Sequence, residues 1–201
     1  IASAYYFRCT KIIADAAEIL GYEEAPEYKK LAEEIKKAIR AIYFDGSGAC
    51  CSKTQTGAAI AIVFGLIEDT AQEEGDRLHQ RVAENNGHLN TGFVGTPLLC
   101  PALTKTGHHK TAVDLLLNED YPSWLYSVNL GATTIWERWN SVLPDGRMNP
   151  EGMNSLNHYS YGSIEAWMYG DVVGIREAEP GFRKTVIKPN PDEIRMLTGM
   201  S

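Results

Sequence analysis

Cysteine is scarce in this chain, and no apolar run is long. Four thiols in 201 residues, Cys9, Cys50, Cys51 and Cys100, show neither the paired spacing nor the density of a disulfide-stapled secreted domain. Vicinal Cys50 and Cys51 have no His or Cys at ligand spacing beside them, so no metal site is read there. The longest apolar stretch, Ala58 to Ile67, is broken by Gly65 and is about half of the roughly 20 residues needed to span a bilayer. Basic residues are the minority: 19 Lys and Arg against 26 Asp and Glu give a formal net charge of −7. No positive field is available for phosphates or an anionic lipid surface, which excludes nucleic acid and membrane as expected partners. No Gly-x-Gly-x-x-Gly, P-loop, Gly-x-Ser-x-Gly or His-Glu-x-x-His pattern occurs, so nucleotide and serine-hydrolase chemistry lose their support.

What is present is globular composition, 44% apolar and 9% aromatic, laid out in helical periods. Ile12, Ile13, Ala16, Ile19 and Leu20 recur at helical spacing, and Gly21 is a natural stop. Pro26 fits the first turn of a second helix, where its missing N–H costs nothing. That helix carries Leu31, Ile35, Ala38, Ile39 and Ile42 as one apolar stripe opposite Glu33, Glu34, Lys36 and Lys37. Thr56 to Leu66 is apolar all round and reads as an inner helix, whereas polar Thr70 to Glu84, anchored by Ala71, Leu78 and Val82, reads as an outer one.

The alternation repeats through Val94–Leu103, His108–Asn118 and Trp124–Leu130, and a Gly or Thr cluster opens each inner segment. A repeat of about 35 to 40 residues per helix pair predicts a helical array. Two topologies fit: an open solenoid with a groove for a protein partner, or a closed ring whose inner helix starts face one pocket. Beyond Pro180, Lys184 to Pro189 reads as a strand with a proline stop. Ile1 to Leu20 reads as the middle of a helix, so the segment is expected to be a piece of a longer, soluble chain, cytoplasmic or periplasmic.

Chemistry concentrates between Trp136 and Trp167. Glu137 sits between two indoles in Trp136-Glu137-Arg138-Trp139; an acid flanked by apolar faces loses hydration and is tuned towards acid–base work. The plainer alternative is a Glu137–Arg138 surface pair beside two core tryptophans. Aromatic rings also stack on the apolar faces of sugars, so Trp136 with a carboxylate suggests carbohydrate. His158 follows Asn157 at an expected helix start, where the dipole favours a neutral imidazole; the alternative is a simple cap. Glu165, seven residues on and on the same helical face, and Asp171 are assigned structural roles, and His79, His88, His108 and His109 solvated ones.

Taken together, Thr54-Gln55-Thr56-Gly57, Thr91-Gly92-Phe93-Val94-Gly95-Thr96-Pro97, Tyr121-Pro122-Ser123-Trp124, Gly131 through Trp139 and Asn154 through Gly162 give the chain a likeness to a known family. It resembles the bacterial α-L-rhamnosidases of glycoside hydrolase family 78 nearly end to end. The resemblance implies an all-α fold, part of an (α/α)6 barrel of alternating inner and outer helices, over residues 1–178. Residues 179–201 would then be a linker and the first strand of a C-terminal β-sandwich.

The resemblance also implies inverting hydrolysis of terminal α-L-rhamnosides, with Glu137 as general base and His158 on the sugar. Trp136 and Asn157 join His158 as expected substrate-binding residues. No metal and no cofactor is implied. The family's general acid belongs to an Asp/Glu-rich motif absent from these 201 residues, so the segment is expected to be inactive alone. Its expected partners are rhamnose-containing glycosides, the remainder of its parent chain and, failing that, a second copy of itself. Trehalase- or glucoamylase-like hydrolysis of another sugar on the same toroid, and a protein-binding helical repeat, are the competing readings.

Overall fold

In the computed structural model, which describes residues 1–67 and 69–190, the chain opens with a helical hairpin of α1 (Ala2–Leu20) and α2 (Ala25–Tyr43). Gly21 ends α1 in the left-handed region at φ 72°, a conformation glycine adopts without a Cβ penalty, and the Tyr22 N–H closes onto the Ala17 carbonyl at 2.9 Å. Pro26 stands in the first turn of α2. On α2 the expected stripe is buried at Ile39 and packs at Ile35, whereas the buried face of α1 differs from its aliphatic row. The hairpin buries Ala4, Phe7, Ala14 and Ala17 of α1 and Ala25, Ala32 and Ile39 of α2, while Ile12 and Ile13 are half exposed, Ile19 is 84% exposed and Ile42 69%. Small residues let the two backbones approach closely, so the alanine side of α1 faces inward and the larger aliphatics are left outside.

Three elements then build the interior. α3 (Gln55–Val63) buries Ala58, Ala59, Ala61 and Ile62 in one cluster and Ile60 in another, the one formed with α1 and α2. That double burial explains a helix with no polar face. α5 (Thr96–Lys105) packs on α3 and is closed off completely at Leu99, Cys100, Ala102 and Leu103. Each such leucine is worth roughly 1.5–3 kcal/mol by removal from water. α8 (Ile164–Trp167) also packs on α5 through buried Ile164 and Trp167.

Outer helices lie against these. α4 (Ala71–Glu84) reaches inward through Leu78 and Val82, and α6 (His109–Leu117) through Ala112, Val113 and Leu115. Two features of α4 escape pattern reading. Gly75 is required because a Cβ there would stand 2.2 Å from the Cβ of Thr106. Glu74 is wholly buried, its carboxylate held by Arg77 Nε at 2.8 Å and Arg81 Nη1 at 3.0 Å. His79 is exposed as expected, whereas His88, His108 and His109 are half-buried. His108 Nε2 lies 2.7 Å from Asp76, the His79 and His108 rings stack at 4.7 Å, and His109 approaches Trp167 at 5.5 Å.

After short α7 (Trp124–Asn129) the chain runs without long helices to a 3-10 turn at Ser160–Ser163, α8, and a π turn at Met168–Val172. The helical segment expected from Asn157 therefore begins three residues later. β1 (Ile175–Glu179) and β2 (Lys184–Ile187) form an antiparallel pair with Ile175 opposite Ile187. β2 matches the expected strand; β1, inside the stretch assigned to the helical part, is exposed over most of its length and shows no alternation to reveal it. The remainder of the expected C-terminal segment, 191–201, lies outside the described residues.

Candidate functional site

Two sequence motifs some twenty residues apart are zipped together by backbone hydrogen bonds. The Glu137 N–H donates to the Ser155 carbonyl at 2.9 Å, and the His158 N–H donates to the Ile135 carbonyl at 2.8 Å. Residues 135–137 therefore run antiparallel to 155–158, and the Thr134 hydroxyl adds a bond to the Leu156 carbonyl. The intervening loop closes on itself at Asp145-Gly146, with the Leu143 N–H on the Arg147 carbonyl at 2.8 Å and Asn154 Nδ2 on the Ser141 carbonyl at 3.0 Å. Arg138 latches that loop: Nη1 meets Glu151 at 2.7 Å, Nη2 the Gly152 carbonyl at 2.6 Å, and Nε the Met153 carbonyl at 3.2 Å.

Glu137 stands at the centre of this zipper, partly exposed. Its Oε2 accepts the Ser155 N–H at 2.7 Å, and among the described residues no donor engages Oε1. The pinch between indoles expected for it is not what holds it. Trp136 is buried, at 6% exposure, and Trp139 stacks on Tyr161 at 3.8 Å while its Nε1 donates to the Thr91 carbonyl at 3.2 Å. A backbone amide fixes the carboxylate instead, because Ser155 is brought opposite Glu137 by the antiparallel pairing.

His158 lies in the loop ahead of the 3-10 turn. Its Nδ1 accepts the Ser160 N–H at 3.2 Å, which leaves Nε2 as the ring's N–H donor when the imidazole is neutral. The ring stacks with Phe93, centroid 4.7 Å and 12° between planes, and with Tyr159, 5.0 Å and 12°. Phe93 also meets Tyr161 at 5.4 Å. An unbroken series of rings thus runs from buried Trp124 through Trp139, Tyr161, Phe93 and His158 to Tyr159, which is 85% exposed. Burial pushes the Tyr161 hydroxyl above its ordinary pKa.

Glu137 opens onto a cavity of ≈ 310 Å³ lined by Gly92, Phe93, Glu137, Arg138, Met153 and Tyr161, at the lower end of the roughly 300–1,000 Å³ usual for small-molecule sites. Gly92 and Phe93 also line an adjoining hollow of ≈ 590 Å³, rimmed by Thr54, Gln55 and Gly95 at the starts of α3 and α5. The inner helix starts therefore face the same region as the carboxylate. A separate cavity of ≈ 360 Å³ between α1, α2 and α3 is apolar and carries no carboxylate. Among the described residues no group of three His, Cys, Asp or Glu side chains could hold a metal ion, and no helix is long and apolar enough to cross a membrane.

A sequence model of the bacterial α-L-rhamnosidase six-hairpin glycosidase domain matches residues 1–172. The chain belongs to this family. It is 40% identical over 192 residues to an α-L-rhamnosidase of Streptomyces avermitilis, covering 95% of this chain and 18% of that protein. It is 42% identical over 194 residues to one of Formosa agariphila, covering 95% and 21%. Among solved structures, the Streptomyces avermitilis α-L-rhamnosidase complexed with L-rhamnose superposes with a TM-score of 0.90 at 40% identity, over 95% of this chain and 19% of that one. The Aspergillus terreus enzyme does so with a TM-score of 0.88 at 35% identity, over 92% and 22%. The chain thus spans about a fifth of the length of these relatives. The mostly helical architecture with a terminal strand pair is that of the six-hairpin rhamnosidase domain.

Within this rhamnosidase-family segment, Phe93 lines the Glu137 cavity and stacks on His158, while His158, Trp136 and Asn157 are not among the residues that line that cavity. Trp136 is turned into the interior, and Asn157 is exposed, its backbone N–H on Ser155 Oγ at 3.1 Å. Glu165 is exposed on α8, and Asp171 pairs with Arg176. Sequence reasoning did not single out Phe93, Arg138, Met153 or Ser155 as site residues. Only Phe93 carried a signal, as the single aromatic inside a Gly/Thr cluster that opens an inner helix.

Proposed function

We propose that this chain is part of the catalytic domain of a longer α-L-rhamnosidase, and that it supplies the general base, Glu137. One observation carries the reading: a carboxylate with one oxygen tied to a backbone amide, on a residue that lines a cavity bordered by aromatic rings. The relatives named as α-L-rhamnosidases give the substrate class.

In an inverting hydrolysis Glu137 takes a proton from water as the water oxygen bonds to the anomeric carbon, on the face opposite the leaving group. The glycosidic C–O bond breaks, and the aglycone oxygen receives a proton from a second carboxylic acid. Such an acid stands about 6.5–9.5 Å from the base, leaving room for the water. The nearby Glu151 is paired with Arg138, so the acid is assigned to another part of the longer enzyme, and this segment alone is expected to hydrolyse nothing. His158, presenting Nε2–H, suits a sugar hydroxyl. The aliphatic row left exposed on α1 suits contact with further helices of the same domain.

The test is a panel of aryl glycosides given to the full-length enzyme, with the first-formed anomer followed by proton NMR. Turnover of the α-L-rhamnoside with release of the β anomer supports the reading. Preference for a glucoside, or release of the α anomer, overturns it.

A further inference from the structure

The His158 ring is held by very little of its own making. Among the described residues one hydrogen bond reaches it, from the Ser160 N–H to Nδ1, and its stacking partners are exposed Tyr159 and Phe93. Tyr159 is 85% exposed and cannot fix a plane by packing. Phe93, 41% exposed, has in addition a neighbour anchored in the core. Tyr161 lies against it at 5.4 Å, Trp139 stacks on Tyr161 at 3.8 Å, and Trp124 meets Trp139 edge-on at 5.2 Å within the main core. Aromatic pairs of this kind prefer defined offsets and tilts and resist rotation. Phe93 also lines both the cavity of Glu137 and the hollow at the helix starts, so its ring stands between the core and the space a substrate would fill.

We infer that Phe93 is a positioning residue: its ring transmits the rigidity of the core to the His158 imidazole and holds the Nε2–H at a fixed bearing to the Glu137 cavity. This rests on the reading of His158 as a sugar contact. The inference adds that the contact depends on a residue 65 positions away in sequence, contributed by the loop ahead of α5. Without the Phe93 face the imidazole keeps, among the described residues, the Ser160 bond and an exposed neighbour, and it can rotate about its side-chain torsions.

The experiment uses the full-length enzyme and an aryl α-L-rhamnoside, with Phe93→Ala, Phe93→Tyr, His158→Ala and the double variant Phe93→Ala/His158→Ala, and a crystal structure of Phe93→Ala. Misplacement of a contact by about 1 Å can cost about 100-fold, and Phe93→Ala is expected to lower kcat/KM by about 10- to 100-fold, dividing between kcat and KM as His158→Ala does. Phe93→Tyr, which keeps the aromatic ring against the imidazole, is expected to recover most of the kcat/KM that Phe93→Ala loses. The double variant is expected to be no worse than His158→Ala alone by more than about threefold, since two residues acting as one unit are not additive. In the crystal the imidazole should tilt away from its present orientation, nearly parallel to the Tyr159 ring.

Losses that multiply in the double variant overturn the inference, as does an imidazole unmoved in the crystal of Phe93→Ala. If His158→Ala itself leaves kcat/KM unchanged, the reading of His158 as a sugar contact fails instead. The crystal then still decides whether Phe93 orients the ring: a displaced ring supports that part, and an undisplaced one removes both.

Discussion

The helices α3 to α6 and the stretch from Gly131 to Gly162 are held by different forces. In the helices, Ala58, Ile62, Leu78, Leu99 and Leu103 have essentially no exposure, and position follows from filling an apolar interior. In the stretch, position follows from directed hydrogen bonds between particular atoms: Arg138 on the 151–153 loop, Asn154 on the Ser141 carbonyl, the Ser155 amide on the Glu137 carboxylate. Burial tolerates many apolar solutions, whereas a directed hydrogen bond aims one atom. The helical part therefore sets stability, and the loop part sets where the carboxylate and imidazole sit.

That division can be broken from either side. The largest stability effect is expected at Leu103→Ala, which empties a fully closed site in α5 and should cost about 2–5 kcal/mol in denaturant unfolding. A loss below about 1 kcal/mol would mean that the interior repacks freely. Next comes Glu74→Gln, which leaves Arg77 and Arg81 facing a neutral amide and should cost about 1–3 kcal/mol. An unchanged unfolding midpoint would show that the two arginines find water instead.

Arg138→Lys sharpens the comparison from the other side. Lysine can replace one of the three loop bonds but not the fork, so kcat/KM should fall about tenfold with the thermal midpoint unmoved. A lowered midpoint with intact kcat/KM would assign Arg138 to stability. The smallest effect is a thiol reactivity order. Cys9 and Cys51 are exposed, burial raises the half-buried Cys50 thiol, and burial pushes Cys100 up to about 12. Since the thiolate is the nucleophile, a thiol reagent should label Cys9 and Cys51 first, Cys50 slowly, and Cys100 only after unfolding; early labelling of Cys100 would mean that the helical interior opens locally.

The same division explains what the sequence could disclose. The helices were legible because periodicity and caps are local: Gly21 stops α1, and Thr54 caps α3 by accepting the Gly57 N–H. The inward face of α1 was not, since an alanine side and an isoleucine side both repeat at helical spacing and close hairpin packing favoured the alanines. β1 was hidden by its lack of alternation. In the site, Glu137 and His158 stood out as chemistry-bearing residue types within dense aromatic motifs. The exchange of an indole clamp for the Ser155 amide, and the link from Phe93 to His158, arise from contacts between distant segments and leave no local pattern.

The central claim is that Glu137 removes a proton from water. It is tested most directly by Glu137→Gln in the full-length enzyme, assayed on an aryl α-L-rhamnoside, with the thermal midpoint measured alongside. General base catalysis typically contributes about 10² to 10⁴, so kcat should fall at least about 100-fold at an unchanged midpoint. A fall of less than about tenfold would contradict the account and send the search for the base to another carboxylate.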